Sequence, residues 1–200
     1  PMAALPVADQ NGGIPVPPPP TAIPFVADQY GGTLRLALPI DPFTRGLHPY
    51  ESVNIAKGQV NSLLFSGLVR YEVGGDPYDL EVVPDLAEAW TISADGRVFT
   101  FALRQDVRFH DGSFMNARDV ESSIKLMLES PSGFFSAMRD NLEDFEVLDD
   151  YTIRVRFKDP YPPFLEVLAS PLAPIVPTAL AGQDLTDAKQ LIGTGPFRIG

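Results

Sequence analysis

Cysteine is absent from the 200-residue sequence, and histidine occurs only twice, as His48 and His110. The absence of cysteine excludes disulfides, thiolate-bound zinc, iron–sulfur clusters and thiol nucleophiles. A metal site would need several ligands at short spacing, and neither an HExxH motif nor an EF-hand loop occurs in the sequence. We therefore expect no bound metal and no cofactor, and we interpret both histidines as structural or surface residues.

Positive charge and long apolar runs are also scarce. The 15 lysine and arginine residues face 26 aspartate and glutamate residues, a net charge of −11 that repels phosphate backbones, so nucleic acid is not expected as a partner. The longest apolar stretch, 171–182, is interrupted by prolines and is shorter than the roughly 20 residues of a membrane helix. No basic patch followed by an apolar block opens the sequence, so we expect no signal peptide within it, which leaves a cleaved one open.

Motifs of nucleophilic catalysis and phosphate binding are missing as well. There is no G-x-S-x-G elbow, and the segment Gly193-Thr194-Gly195 lacks the later glycine and the lysine of a phosphate loop. The paired acids Asp149-Asp150 lie at an expected turn, where solvated carboxylates are the simpler explanation. The composition, 44% apolar and 20% charged, is that of a globular protein. Together these features favour a binding protein over an enzyme.

Proline is concentrated at the start of the chain. Residues 1–24 carry a single charge, Asp9, and include the run Pro17–Pro20 without any periodic apolar face. This composition is typical of a polyproline-like spacer. We therefore expect residues 1–25 to form a flexible tether, although an untidy terminus would have the same composition.

Apolar patterns after this segment predict a mixed α/β fold with both helices and strands. The alternation of Leu34, Leu36 and Leu38 predicts a first strand, so the fold is expected to begin between Val26 and Thr33. A helix is predicted over residues 54–68, with an asparagine cap and a buried stripe. The cap is Asn54, and the stripe is Ile55, Val60, Leu63, Leu64 and Leu68.

The rest of the chain alternates between the two patterns. A hairpin is predicted around Asp95-Gly96, where two alternating runs meet at a turn. Asn116 and Asp119 have the spacing of a capping box, which predicts the start of a second helix. Its predicted buried stripe is Val120, Ile124, Met127 and Leu128. A strand over Tyr151–Phe157 and a short helix over Phe164–Leu168 complete the prediction.

An ordered set of motifs resembles a known family. The sequence is similar to family 5 of the bacterial extracellular solute-binding proteins, the peptide and nickel binders that serve ABC importers. The resemblance covers residues 31–200 and includes the first strand, Gly32–Leu38, the loop Asp41–Pro49 and the closing segment Ile192–Phe197. The motifs that carry it are Val83–Trp90, Asp95-Gly96, Phe99–Arg104, Val107–Gly112 and Asn116–Val120.

This resemblance implies the N-terminal part of a two-lobed fold like that of periplasmic binding proteins. It implies that 26–52 form the first segment of lobe I, that 53–177 form an accessory domain and that lobe I resumes over 178–200. Family members are far longer than this chain, so the rest of the fold, including the opposing lobe, is expected beyond residue 200. The lipobox cysteine of many members is missing, which leaves a lipid anchor and a membrane tether through the N-terminus open.

The resemblance also implies a function outside the cytoplasm. The protein is expected to be a monomer that captures peptides or a related small solute by hinge closure and delivers them to an ABC transporter permease. A ligand-sensing module of a signalling protein is the alternative. A hydrolase with catalytic acids beyond residue 200 is disfavoured.

Two segments are expected to face the ligand together. They are the loop Ile40–Leu47 and the turn Gly193–Pro196, which would belong to the same lobe, because loops that leave a core sheet gather where ligands bind. The expected contacts are Asp41, Phe43, Thr44, Arg45, Thr194 and Gly195. A tight turn for the glycines and a solvated charge for Arg45 remain open. Trp90, Phe109 and Asp119 are interpreted as structural.

Overall fold

The computed structural model describes most of the chain from residue 32 onward. The described residues are 32–38, 40–43, 47–50, 54–73, 80–181, 183, 185 and 187–199. The predicted tether, 1–25, and the proposed start of the fold before residue 32 lie outside them. Within these residues, no helix is both long enough and apolar enough to cross a bilayer.

A four-stranded antiparallel sheet forms the centre of the fold. The predicted hairpin is confirmed, because the strands on either side of Asp95-Gly96 pair with Ile92 opposite Phe99. Gly96 has φ +69, a conformation that favours glycine, and the connection is longer than the two residues of the tightest hairpins. The strand order is β3-β4-β6-β5, with β3 at Ala87–Ile92, β4 at Val98–Leu103, β5 at Leu142–Asp149 and β6 at Thr152–Phe157.

The inner face of this sheet carries a packed aromatic core. Phe99 and Phe101 of β4 and Phe157 of β6 are fully buried, as their alternation with polar residues predicts. They meet Phe164, which begins the predicted short helix α4 (Phe164–Ala169), and its ring centroid lies 4.9 Å from that of Phe99 and 4.8 Å from that of Phe157. Trp90 on β3 is also buried, opposite Phe101.

The second predicted helix, α2, spans Ala117–Glu129 and packs against β5 and β6. Its capping box is confirmed. The Asn116 side chain accepts hydrogen bonds from backbone amides of the first turn, and the Asp119 carboxylate accepts a hydrogen bond from the Asn116 amide at 3.0 Å. The same carboxylate accepts from the amide of Thr178 at 2.8 Å. Asp119 therefore joins the start of α2 to the chain that follows α4. A short helix, α3 (Ser136–Asn141), leads into β5.

The first helix, α1, spans Ile55–Leu64 and is capped by the Asn54 side chain as predicted, and Leu64 of the predicted stripe is buried, but the buried face otherwise consists of Ala56, Lys57 and Asn61. Ile55 is 81% exposed, whereas Lys57 is fully buried and its Nζ donates to the carbonyl of His48 at 2.8 Å. The apolar pattern does not include Lys57, because its burial depends on a carbonyl acceptor outside the helix. The helix also ends at Leu64, four residues early.

A two-stranded antiparallel ribbon follows α1, formed by β1 (Val69–Val73) and β2 (Leu80–Pro84), and α4 packs against it. The predicted strand at 32–38 is wrong in one respect, because residues 33–38 belong to no strand. A strand requires a hydrogen-bonded neighbour, and none of the described strands lies beside this segment. Leu34 and Leu36, at 48% and 51% exposure, are left half in solvent.

Candidate functional site

The segment Gly193–Phe197 packs against the C-terminal end of α1, where helix carbonyl groups have no partner within the helix. The Gly195 amide donates to the carbonyl of Leu64 at 2.9 Å, and the Phe197 amide donates to the carbonyl of Leu63 at 3.1 Å. The hydroxyl of Thr194 accepts from the amide of Ser66 at 3.2 Å. The segment Gly193–Phe197 thus supplies hydrogen-bond donors to carbonyl groups at the C-terminal end of α1.

The glycines of this turn are required by the close approach of two backbones. A Cβ on Gly195 would lie 2.5 Å from the carbonyl oxygen of Leu63, and a Cβ on Gly193 would overlap the carbonyl of Leu64. Neither glycine has a positive φ. Close packing against the helix end, rather than an unusual backbone conformation, explains why glycine stands at both positions.

His110 lies on the other side of the same turn. Its Nδ1 accepts from the Gly193 amide at 3.2 Å, and its Nε2 lies 2.9 Å from the carbonyl oxygen of Gly195. Its own amide donates to the carbonyl of Gly193 at 2.9 Å. For His110, the sequence predicts only a structural or surface role. The partners of its side chain lie on a distant segment, which local sequence patterns do not reveal.

The loop that carries His110 is held by its own short-range contacts. Gly112 has φ +88, which makes the turn after the histidine. The hydroxyl and amide of Ser113 donate hydrogen bonds to Asp111, and these bonds lower the pKa of the Asp111 carboxyl. Asp111 therefore places a negative charge next to the imidazole.

A half-open apolar cavity of about 640 Å³ lies beside the turn. Leu63 and Leu64 of α1 line it, together with Phe43 and Phe197. The extended segment 32–38 contributes much of the remaining lining. The full lining is Gly32, Thr33, Leu34, Leu36, Leu38, Pro42, Phe43, Val60, Leu63, Leu64, Pro196, Phe197, Arg198 and Ile199. The cavity is thus lined by part of each of the two segments that were expected to face a ligand.

The predicted ligand contacts on the first loop have different positions. Phe43 lines the cavity, whereas Asp41 is exposed and its carboxylate accepts from the amide of Phe43 at 2.8 Å. This bond orders the loop locally, as aspartate commonly does in turns. Thr44 and Arg45 lie outside the described residues.

The predicted contacts on the second segment already have polar partners. Thr194 bonds the amide of Ser66, and both the amide and the carbonyl of Gly195 are hydrogen-bonded within the protein. Neither residue lines the cavity, although Pro196 and Phe197 do. Thr194 and Gly195 hold the turn, and a contribution of Gly195 to ligand binding would be one of shape rather than of hydrogen bonding.

Among the described residues, no group of three or more histidine, cysteine or acidic side chains is placed to hold a metal ion. The cavity lining contains one charged residue, Arg198, among apolar neighbours. The arrangement provides an apolar surface with a bordering positive charge.

Residues 81–200 match the family model described as bacterial extracellular solute-binding proteins, family 5 middle. The chain belongs to this family. Its members are binding proteins that act outside the cytoplasm, as the family description states, and the mixed α/β fold agrees with this assignment.

Similar proteins carry related descriptions. The di/tripeptide-binding protein 2 of Pseudomonas aeruginosa is 39% identical over 145 residues, which cover 60% of this chain and 27% of that protein. The periplasmic binding protein DppA of Helicobacter pylori, solved with the peptide STSA, has a TM-score of 0.63 at 28% identity and covers 76% of this chain. NikA of Brucella suis, solved with Fe(III)-EDTA, has a TM-score of 0.66 at 29% identity and covers 80% of this chain.

The chain spans about a third or less of each of these proteins: 27% of the Pseudomonas protein, 34% of DppA and 32% of NikA. None of the three is described as a sensor or as an enzyme, so the comparisons give no support to the signalling alternative.

Proposed function

We propose that the protein is the solute-binding component of an ABC importer and that its ligand is a short peptide or a related small solute. The family assignment supports this function, and two of the three relatives are described as peptide-binding or as bound to a peptide. Delivery to a permease and a monomeric state belong to the same proposal. Ligand binding by closure of two lobes would couple capture to a change of shape that a membrane partner can recognise.

The observation that supports this proposal most directly is the meeting of two segments distant in sequence at the end of α1. Pro42 and Phe43 and the returning residues Pro196 and Phe197 line one cavity. We propose that these segments belong to lobe I, as 26–52 and 178–200, and that residues 53–177 form an accessory domain attached to it. The loop 40–47 would then lie at the edge of the lobe that faces the cleft.

We propose that the cavity itself is not the ligand site but the place where more of lobe I packs. Its lining includes residues 33–38, an extended segment outside any strand, with Leu34 and Leu36 half exposed. Extended backbone with alternating leucines is suited to sheet pairing. Since the relatives are about three times longer than this chain, additional chain in a full-length protein is available to cover it.

The ligand contacts are proposed at the rim of this lobe. Phe43 offers an apolar face, Thr44 a hydroxyl and Arg45 a charge suited to a peptide carboxylate. The Asp41 carboxylate can hold the loop or accept a hydrogen bond from a peptide amine. Thr194 and Gly195 would shape the opposite side of the ligand site. Peptide main chains would supply most of the hydrogen bonds, so that different side chains are accepted.

The ligand can be identified directly by mass spectrometry of small molecules released from full-length protein that has been purified without denaturation. We expect peptides or a related amino-acid derivative. Recovery of a ligand with no amide or carboxylate group would contradict the peptide proposal and leave the family assignment unaffected.

The proposed contacts can be tested by substituting Thr44→Ala and Arg45→Ala in the full-length protein. Binding should weaken by about tenfold or more if Arg45 pairs with a carboxylate, because charge-assisted hydrogen bonds contribute about 1.5–3 kcal/mol. The melting temperature of the unliganded form should stay nearly unchanged. Arg156→Ala, at an exposed position on a strand of the central sheet, is the matched control for loss of an exposed arginine. Unaltered affinity in both loop variants would place the ligand elsewhere.

A further inference from the structure

Both ring nitrogens of His110 are engaged with the same glycine turn. Nδ1 faces the amide of Gly193 at 3.2 Å, and Nε2 faces the carbonyl oxygen of Gly195 at 2.9 Å. The ring therefore bonds the two glycines of the turn, Gly193 and Gly195. These contacts join the loop 107–115 to the segment that also caps the end of the first helix.

The two contacts require one tautomer. A backbone amide can only donate, so Nδ1 must carry a lone pair when it bonds Gly193. The proton of a neutral imidazole then resides on Nε2, where it can donate to the carbonyl of Gly195. The geometry fits neutral His110 with its proton on Nε2 and fits neither the other tautomer nor the imidazolium.

We propose that His110 is a proton-controlled latch: the neutral imidazole fastens the Gly193–Pro196 turn to the loop 107–115, and protonation of Nδ1 releases the amide of Gly193. This inference goes beyond the proposed function and does not depend on it. Histidine is the side chain whose charge ordinarily changes between about pH 5 and 8, so pH is the variable that tests the latch. The stabilisation from the bond between Gly193 and Nδ1 is present when the ring is neutral and is lost as the pH falls and the ring is protonated.

Few other charged groups face the ring. The end of α1 and the residues after it, 58–66, contain no ionisable side chain, and neither does the segment 191–197. On the loop itself, Arg108 is held over the ring of Phe114, 3.6 Å from its centroid, and donates to the carbonyl of Gly112. Asp111 interacts with His110 electrostatically and, because its pKa is lowered mainly by Ser113, stays ionised throughout this pH range.

Protonation of Nδ1 would affect one of the three bonds between His110 and the turn, because the bond of Nε2 to the Gly195 carbonyl and the bond of the His110 amide to the Gly193 carbonyl do not use Nδ1. Pro196 and Phe197 follow the glycine turn directly and line the cavity. The bonds of the Gly195 and Phe197 amides to the end of α1 do not involve His110, so they persist after protonation. The expected result is local loosening at Gly193 rather than unfolding.

Amide hydrogen exchange, measured by NMR on this chain between about pH 8 and 5, tests the latch. The protection factor of Gly193, corrected for the intrinsic pH dependence of exchange, should fall about tenfold, the effect of losing a bond of ordinary strength. Gly195 is the internal control, because its acceptor, the carbonyl of Leu64, does not titrate. A constant protection factor at Gly193, or an equal fall at both glycines, would overturn the proposal.

Two substitutions separate the two ring nitrogens. His110→Asn keeps an acceptor at the position of Nδ1 without a titrating group, so the protection of Gly193 should become independent of pH. His110→Gln keeps a donor at the position of Nε2 but loses the acceptor, so protection should be low at every pH. Persistence of the wild-type pH dependence in His110→Asn would overturn the proposal. The side-chain carbon shifts of wild-type His110 at pH 8 give a test that needs no variant: a proton on Nδ1 would also overturn it.

Discussion

The amide of Gly195 donates a 2.9 Å hydrogen bond to the carbonyl oxygen of Leu64, and the two backbones approach so closely that only hydrogen fits as a side chain on Gly195. This contact attaches the end of the described chain to the end of its first helix. The candidate site exists because these two distant segments are held together.

Substitution of Gly195 by alanine should therefore destabilise the chain. The added Cβ would lie 2.5 Å from the carbonyl oxygen of Leu63, and such overpacking costs about 1–3 kcal/mol of unfolding free energy. Gly133→Ala is the control, because nothing lies within 4 Å of its Cβ position and its φ is not positive. Urea denaturation of both variants measures the difference, and equal stabilities would contradict the packing described for the turn.

Trp90→Ala should impair folding rather than ligand choice. The indole is 6% exposed and lies opposite Phe101, and removal of a large buried aromatic costs about 3–5 kcal/mol. Trp90→Phe retains an aromatic ring and should lose much less stability. Thermal denaturation of this chain, with ligand titration of the full-length protein, checks both statements. A variant with unchanged melting temperature and altered ligand preference would show that Trp90 lines the binding site.

Leu36→Ala should behave differently in this chain and in a full-length protein. Leu36 is 51% exposed here, so its truncation should change the unfolding free energy by no more than about 0.5 kcal/mol. If additional chain covers residues 33–38, the same substitution in the full-length protein should cost about 2–5 kcal/mol. Ile55→Ala, at an 81% exposed position of α1, should be neutral in both. A neutral Leu36→Ala in the full-length protein would show that the cavity stays open.

Ser93→Ala should raise the pKa of Asp95. Hydrogen bonds from the Ser93 hydroxyl and then from the Arg97 side chain and amide lower this pKa from 3.8 to about 2. The stabilisation from these bonds is therefore complete above the ordinary pKa of aspartate and is lost as the pH falls toward 2. NMR titration of the Asp95 carboxyl carbon measures the shift, with Ser62→Ala on α1 as the control. An unchanged Asp95 titration in Ser93→Ala would contradict the assigned cause.

Local patterns predicted the elements whose determinants are close in sequence. Asn116 and Asp119 form their capping box within a single turn of α2, and the alternation of Phe99 and Phe101 follows from the period of a strand. These features depend on neighbours a few residues away, so the chain carries the information locally.

The features that depend on tertiary partners could not be predicted in this way. Lys57 is buried because the carbonyl of His48 accepts from it, and the exposed Ile55 occupies the face that the apolar pattern assigned to the core. His110 is ordered by Gly193 and Gly195, which only the folded chain brings near it. Of the predicted contacts, Phe43 lies on the cavity, and the ligand-binding roles of all six remain predictions.

The central claim is that this chain carries one wall of a peptide-binding cleft. Isothermal titration calorimetry with dialanine and trialanine, performed in parallel on this chain and on the full-length protein, tests it most directly. A ligand held by one wall stays largely solvated, so this chain should bind at least about a hundredfold more weakly than the full-length protein. Equal affinity of the two proteins for the same peptide would contradict the account.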